Sequence, residues 1–364
     1  MNRPVIPDHI QALKPYVAGR SIEEIRETLG LERIIKLASN ENPLGASPKA
    51  VEAVRAAASS VNVYPRAGLR LREKLAQRLD VTPANVAVAS GSEGVMLHAM
   101  RGYLQPGDEV VTAEGTFIGF YVIAHAMKLD LKTVPLSNYT YDLEAILAAV
   151  TDRTRLIYLA NPNNPTGTAY TSDEWDAFLK KLPENILVIC DEAYFEYASD
   201  WKAYPNSLDW RHDQVLTLRT FSKAYGLAGA RIGYGLAHDE IIGTILKVKL
   251  PFEPTALAEA AGLGALNDKD FLERTLETNR YGMRRLTQML DRHGVQYPRS
   301  VANFLLIPRE TPEHAQAMSD KLLEAGIIAR PMVPFRLPHC VRVTIGSDSE
   351  MDILLDSMPA ALSV

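Results

Sequence analysis

The sequence predicts an α/β protein: a large domain with a mostly parallel sheet covered by helices on both faces, followed by a smaller α/β domain. Between residues 86 and 190, short apolar runs rich in β-branched residues alternate with segments of helical period, the order that crossover-linked parallel strands impose. The polar and glycine-rich clusters of that stretch follow directly on the apolar runs, at the carboxyl ends of strands, where open α/β sheets bind ligands. Beyond Gly235 the alternation stops. Pro251-Phe252-Glu253-Pro254 interrupts the chain, and long helical patterns at 257–266 and 271–293 open the second domain.

In chain order, a short helix is expected over 21–29, with Ser21 as N-cap, Glu24 as its capping-box partner and Gly30 as the stop. An apolar segment at 34–38 leads into Ser39-Asn40-Glu41-Asn42-Pro43-Leu44-Gly45, which is either a self-capped loop or the lining of a site. Amphipathic helices are expected over 47–58, where Pro48 suits the first turn, and over 69–79. The strand at 86–89 ends in Ser90-Gly91-Ser92-Glu93-Gly94, before a helix at 95–104. Strand, small residues and helix start together present free backbone N–H groups to an anion, although plain turns of this kind are common.

Strands at 109–112, 133–134, 156–160 and 186–190 then take turns with helices at 117–127, 141–150 and 174–182, the last capped at Thr171 or Ser172. Two of these strands run into Asn161-Pro162-Asn163-Asn164-Pro165-Thr166-Gly167 and Asp191-Glu192-Ala193-Tyr194. The tail adds a strand at 303–307, a helix at 315–325, a short segment at 327–331, an alternating strand at 341–346 and a last helix at 351–358.

The chemistry centres on Lys223. A β-rich run, Val215-Leu216-Thr217-Leu218, leads to a lysine framed by small and hydroxyl residues, then to a glycine-spaced return strand with Arg231 at its mouth. A lysine becomes a nucleophile or an imine only by losing its proton, which desolvation or a nearby cation favours. Ser222 and Arg231 supply a hydroxyl and a fixed cation suited to a phosphate held beside that lysine. Lysine plus phosphate site suggests pyridoxal phosphate. Asp191, at the end of a buried strand, needs a charged or hydrogen-bonded partner, and a pyridinium nitrogen would serve. Tyr194 and Asn164 could reach a ring oxygen, and Phe117 could stack on a ring, although Phe117 taken alone reads as core. Arg342, between Val341 and Val343 on the opposite face of its strand, suits a carboxylate or phosphate better than core.

Composition excludes other classes. With 364 residues, 47% hydrophobic and 23% charged, the chain is an ordinary globular protein, and a net charge of -5 leaves no basic footprint for nucleic acid. No apolar run reaches the length of a membrane span, and the first ten residues carry Pro4, Pro7 and Asp8 rather than an apolar signal core, so a cytoplasmic location is expected. Cys190 and Cys340 lie far apart within apolar runs and read as buried thiols. The scattered histidines show no metal-ligand spacing. Gly226, Gly229, Gly233 and Gly235 do not form the dinucleotide-binding G-x-G-x-x-G.

Asn164-Pro165-Thr166-Gly167, Asp191-Glu192-Ala193-Tyr194, Ser222-Lys223, Arg231 and the late Arg342 follow the order and spacing of fold-type I pyridoxal-phosphate aminotransferases. More closely, Ile35-Lys36-Leu37-Ala38-Ser39-Asn40-Glu41-Asn42-Pro43-Leu44-Gly45, Tyr64-Pro65, Ala160 to Gly167, and Val341-Arg342-Val343-Thr344-Ile345-Gly346 resemble the histidinol-phosphate aminotransferases over nearly the whole chain. The resemblance implies an N-terminal arm at 1–45 that forms part of the small domain, a large cofactor domain at 46–255 and a C-terminal small domain at 256–364. It implies exchange of the amino group between histidinol phosphate and 2-oxoglutarate, giving imidazole acetol phosphate and glutamate in histidine biosynthesis. A homodimer with its active site at the interface is implied as well.

By the same resemblance, Lys223 is the Schiff-base lysine and proton carrier, while Ser222, Arg231 and the Ser92 and Glu93 backbone hold the cofactor phosphate. Tyr64 reaches that phosphate from the other subunit. Asp191 pairs with the pyridine nitrogen, Tyr194 and Asn164 with the ring oxygen, and Phe117 stacks on the ring. Arg342, helped by Arg330 and Tyr16, binds the substrate's anionic group, with Asn40 also at the substrate. The chain departs from the family pattern at Gly94, where an acidic or amide residue is usual, and at Arg66, where an acidic one is. Aromatic amino-acid and arogenate or prephenate aminotransferases share the cofactor motifs, as does a decarboxylase of the same fold. Against a non-enzymatic binding module or a cofactor-bound regulator stand the lack of a DNA-binding segment and the presence of the whole catalytic set.

Overall fold

The computed structural model describes residues 4–15, 22–31 and 33–364. Its strands, in chain order, are β1 (Ile35–Lys36), β2 (Val86–Ala89), β3 (Glu109–Ala113), β4 (Asp130–Val134), β5 (Thr154–Ala160), β6 (Leu187–Asp191), β7 (Val215–Thr220), β8 (Gly233–Leu236), β9 (Phe304–Pro308), β10 (Ile327–Ile328), β11 (Arg330–Pro331) and β12 (Cys340–Thr344). A seven-stranded sheet takes the order β2-β8-β7-β6-β5-β3-β4. Within it β4, β3, β5, β6 and β7 run parallel, and β8 lies antiparallel to both β7 and β2.

β2, β6 and β7 are buried at every position, as strands covered on both faces must be. Helices Ser92–Tyr103, Ile118–Ala126, Ser172–Lys181 and Asp239–Val248 supply part of that cover, packing Met96, Phe120, Trp175 and Ile242 into one core. Their boundaries follow local chemistry. Thr171 caps its helix by accepting from the Glu174 N–H, and Glu174 Oε2 accepts from the Thr171 N–H at 2.6 Å, closing a capping box. The helix expected from 95 begins three residues earlier, at Ser92, because Gly91 adopts φ +85° and turns the chain as soon as β2 ends. Helix Asp239–Val248 was not anticipated. The described part of the first expected helix is Ile22–Leu29, and Ser21 lies outside the described residues.

A second, smaller body holds the antiparallel sheet β11-β12-β9 and the parallel pair β1-β10. Ile35 and Leu37 enter its core beside Leu305, Ile307, Val341 and Val343, so these N-terminal residues pack with the C-terminal part. Helix Lys269–Arg292 joins the two bodies, with Leu286, Met289 and Leu290 in the small core. Helix Ala256–Leu266 follows the expected boundary at 255 and 256 but packs with Ala50, Leu71 and Ile232 of the large body. Cys190 and Cys340 are both free and buried. Among the described residues no helix is long and apolar enough to cross a membrane.

Candidate active site

The carboxyl ends of β2, β3, β5, β6 and β7 open into a cleft of about 560 Å³, roofed by Ala38, Asn40, Arg330, Phe335 and Arg342 from the small body. Lys223 stands in the turn after β7, which the Gly226 N–H closes by donating to the Lys223 carbonyl at 3.0 Å. Gly226 has φ +69°, and a Cβ there would lie 2.0 Å from the Gly45 carbonyl oxygen. Glycine is therefore what lets the N-terminal loop seat against the lysine turn. Asn42 completes the seat by donating to the Ala224 carbonyl at 2.9 Å. Lys223 Nζ lies 5.6 Å from the centre of the Tyr194 ring.

Beside the lysine, one wall has the free N–H groups and the cation that suit an anion. The first-turn N–H groups of helix Ser92–Tyr103 have no partner within the helix and carry the positive end of its dipole. β8 passes this helix start so closely that a Cβ on Gly233 would lie 2.2 Å from the Ser92 nitrogen. Arg231, with φ +52°, brings Nη2 to 4.0 Å from Glu93 Oε2. The Ser222 N–H donates to Thr220 Oγ1 at 3.1 Å, which sets the buried Ser222 at the same wall.

On the floor, Asp191 ends β6. Its carboxylate accepts from the Tyr158 hydroxyl at 2.8 Å and from the Ala193 N–H at 3.1 Å. Burial pushes its pKa up to about 6 against these two donors. Tyr194, almost wholly buried, accepts from Asn40 Nδ2 at 2.8 Å. Arg342 Nη2 donates to the Ala38 carbonyl at 2.8 Å, its Nη1 donates to Asn164 Oδ1, and its guanidinium lies between the rings of Phe304 and Phe335 at 5.1 and 5.8 Å. Arg330 is its cross-strand partner.

The cleft thus gathers Asn40, Ser92, Glu93, Phe117, Asn164, Asp191, Tyr194, Ser222, Lys223, Arg231, Arg330 and Arg342. Tyr64 is not among its lining residues; it is 76% exposed and stacks on Phe252 at 4.4 Å. Tyr16 lies outside the described residues. Sequence reasoning missed Tyr158, Thr220, Phe335 and the seating role of Asn42. A tyrosine inside an otherwise apolar strand is a signal that its hydroxyl needs a partner, but only the sheet register, Ala160 beside Asp191, shows which one.

Comparison with known proteins gives this cleft a family. The model for aminotransferase class I and II matches residues 32–358. The chain belongs to that family. It is 40% identical over 344 residues to histidinol-phosphate aminotransferase 1 of Nitrosococcus oceani, covering 94% of this chain and 92% of the relative. Against histidinol-phosphate aminotransferase 2 of Pseudomonas aeruginosa the identity is 39%, with 97% and 96% covered. A crystal structure of histidinol-phosphate aminotransferase from Sinorhizobium meliloti in complex with pyridoxal-5′-phosphate superposes with a TM-score of 0.89 at 32% identity, over 98% of this aminotransferase and 97% of that chain. Aspartate aminotransferase from Thermus thermophilus with maleate, at 23% identity and a TM-score of 0.85 over 99% and 100% of the two chains, shares the fold.

Proposed function

We propose that this aminotransferase uses pyridoxal phosphate to move an amino group between histidinol phosphate and 2-oxoglutarate, giving imidazole acetol phosphate and glutamate in histidine biosynthesis. The observation that carries the reading is the pairing of two arginines, Arg330 and Arg342, on the roof of a cleft whose floor holds Lys223 and Asp191. Histidinol phosphate carries no carboxylate, so a site serving both it and glutamate needs a cationic cluster that takes either a phosphate or a carboxylate.

The residues fit the cofactor. A buried carboxylate raised by desolvation suits a protonated ring nitrogen, and the helix start with Ser222 and Arg231 suits a phosphate. When bound, the group supplies an aldehyde that condenses with amines and a protonated ring that withdraws the electrons of the Cα–H bond. Lys223 Nζ would hold the group and, once freed by the substrate amine, would take the proton from the substrate Cα. Asp191 would keep the ring nitrogen protonated, Tyr194 and Asn164 would donate to the ring oxygen, and Phe117 would cover the ring face. Arg342 fixes the substrate's anionic group in the plane of its fork, and Asn40 orients Tyr194.

The exposed Tyr64 and Phe252 pair supports a homodimer in which Tyr64 completes the partner's anion wall. A cytoplasmic location accords with two free buried cysteines. A second reading, an aromatic or arogenate aminotransferase, is favoured by Ile118, Val122 and Phe335 in the lining, which would accept a phenyl ring as readily as an imidazole. Initial rates with histidinol phosphate, phenylalanine, tyrosine and arogenate, each with 2-oxoglutarate, decide between them. Fastest turnover of histidinol phosphate supports the first reading, and faster turnover of the aromatic donors replaces it with the second.

A further inference from the structure

Glu253 lies outside the cleft lining, yet its carboxylate grips the turn that begins the anion wall. Oε1 accepts from the Ser90 N–H at 2.8 Å, and Oε2 stands 2.7 Å from His98 Nε2, with the two side chains 11% and 3% exposed. An ionised carboxylate only accepts, so His98 presents its proton on Nε2. Burial works against the charge, but the contacts with His98 and Ser90 hold the Glu253 carboxyl down to about 2. The glycine at 94 is the complement of this arrangement. A Cβ there would lie 3.3 Å from Glu253 Oε1 and 3.2 Å from Ala89 Cβ, so a larger side chain would contest the place that the carboxylate takes.

A grip at this turn matters because its pivot is a glycine, the residue with the widest choice of backbone angles. Gly91, at φ +85° and ψ 170°, sits in a region that glycine enters freely, and its N–H donates to the Ala89 carbonyl at 2.8 Å. A charge-assisted bond at Ser90, one residue earlier, fixes the direction in which the following N–H groups point.

We propose that Glu253 is a positioning residue for the cofactor's phosphate: it clamps Ser90 so that the N–H groups of Ser92, Glu93 and Gly94 converge on the anion. His98 orients the carboxylate, and Gly94 makes room for it. This rests on the reading of the cleft as a pyridoxal-phosphate site.

The test measures affinity of the full-length chain for pyridoxal phosphate, by its absorbance, and for inorganic phosphate, by the rise in melting temperature of the cofactor-free chain. Glu253→Ala weakens both by about tenfold or more while kcat at saturating cofactor stays within about threefold of wild type. Glu253→Gln, which keeps an acceptor for the Ser90 N–H, restores most of the loss. Affinity of Glu253→Ala within about twofold of wild type overturns the proposal, as does a Gln variant as weak as the Ala variant. Should Glu253→Ala fail to fold, Glu253→Gln against His98→Ala carries the test: the Gln variant must bind phosphate more tightly, and the reverse order overturns the proposal. Wild type binding neither probe would bring down the cofactor reading and this inference with it; wild type binding both, with Glu253→Ala unchanged, removes this inference alone.

Discussion

Arg330 and Arg342 are Cα partners across the antiparallel pair β11 and β12, so two guanidinium side chains leave the same face of a small sheet and line one cleft. Like charges directly opposite each other destabilise a sheet unless an anion is shared between them. Arg342 is also tied to Ala38 and Asn164, which hold it in place whatever the substrate. Arg330→Ala is therefore expected to lower kcat/KM for histidinol phosphate by about two orders of magnitude and for phenylalanine or tyrosine by less than about fivefold. Arg342→Ala should damage every donor. Steady-state kinetics on both variants check this, and equal losses for all donors with Arg330→Ala would assign Arg330 to the carboxylate instead.

Lys223→Ala should abolish transamination while leaving the fold and part of the cofactor affinity, because the anion wall is built from Ser92, Ser222 and Arg231 without the lysine. Borohydride reduction of the wild-type holoenzyme followed by peptide mapping should place the cofactor on Lys223. A label on another lysine would sink the assignment.

Asp191 links the floor to pH. Its folded pKa of about 6 stands above an unfolded value of about 3.9, so between these values the folded chain binds the extra proton. In the cofactor-free protein this group's contribution is thus fully present below about pH 4 and lost as pH rises through about 6, a difference on the order of 2–3 kcal/mol at most. Cofactor-free Asp191→Asn should melt above wild type at pH 7 and close to it at pH 4. In the holoenzyme the sign reverses: the variant loses the charge that keeps the ring nitrogen protonated, and Cα proton transfer slows by several orders of magnitude, a barrier increase of about 4 kcal/mol or more. Single-turnover rates near wild type would refute that role. Tyr158→Phe, which removes one donor from the carboxylate, should shift the melting difference further in the same direction.

Gly226→Ala tests the seat of the lysine turn. The added Cβ meets the Gly45 carbonyl oxygen and a left-handed backbone at once, so a loss of about 2–4 kcal/mol is expected in denaturant unfolding. Activity should fall further than stability explains, because the shift falls three residues from Lys223. A variant with wild-type unfolding midpoint and rate would show that the loop and the turn do not depend on each other.

The large sheet and the floor of the cleft could be read from the order of residues along the chain. Strands β2, β5, β6 and β7 came from short runs of β-branched and apolar residues bounded by turn formers, which suit a sheet covered on both faces, and their carboxyl ends and the turns after them carried Ser92, Asn164, Asp191 and Lys223 by chain order alone. Periodicity is a local property, and so is the position of a residue after a strand. Tertiary structure alone decided the roof and the supports. Asn42 beside Ala224, Tyr158 beneath Asp191 and Glu253 against Ser90 join residues 182, 33 and 163 positions apart, and no local pattern records such distances. Helix Asp239–Val248 carries its own local signal, His238 as cap with Ile241, Ile242 and Ile245 at helical spacing, and the sequence reading passed over it; it is the contacts between distant residues that only packing reveals. The pairing of Arg330 with Arg342 belongs to the same class: a two-residue strand is too short to announce itself, and its register exists only once β12 lies beside it.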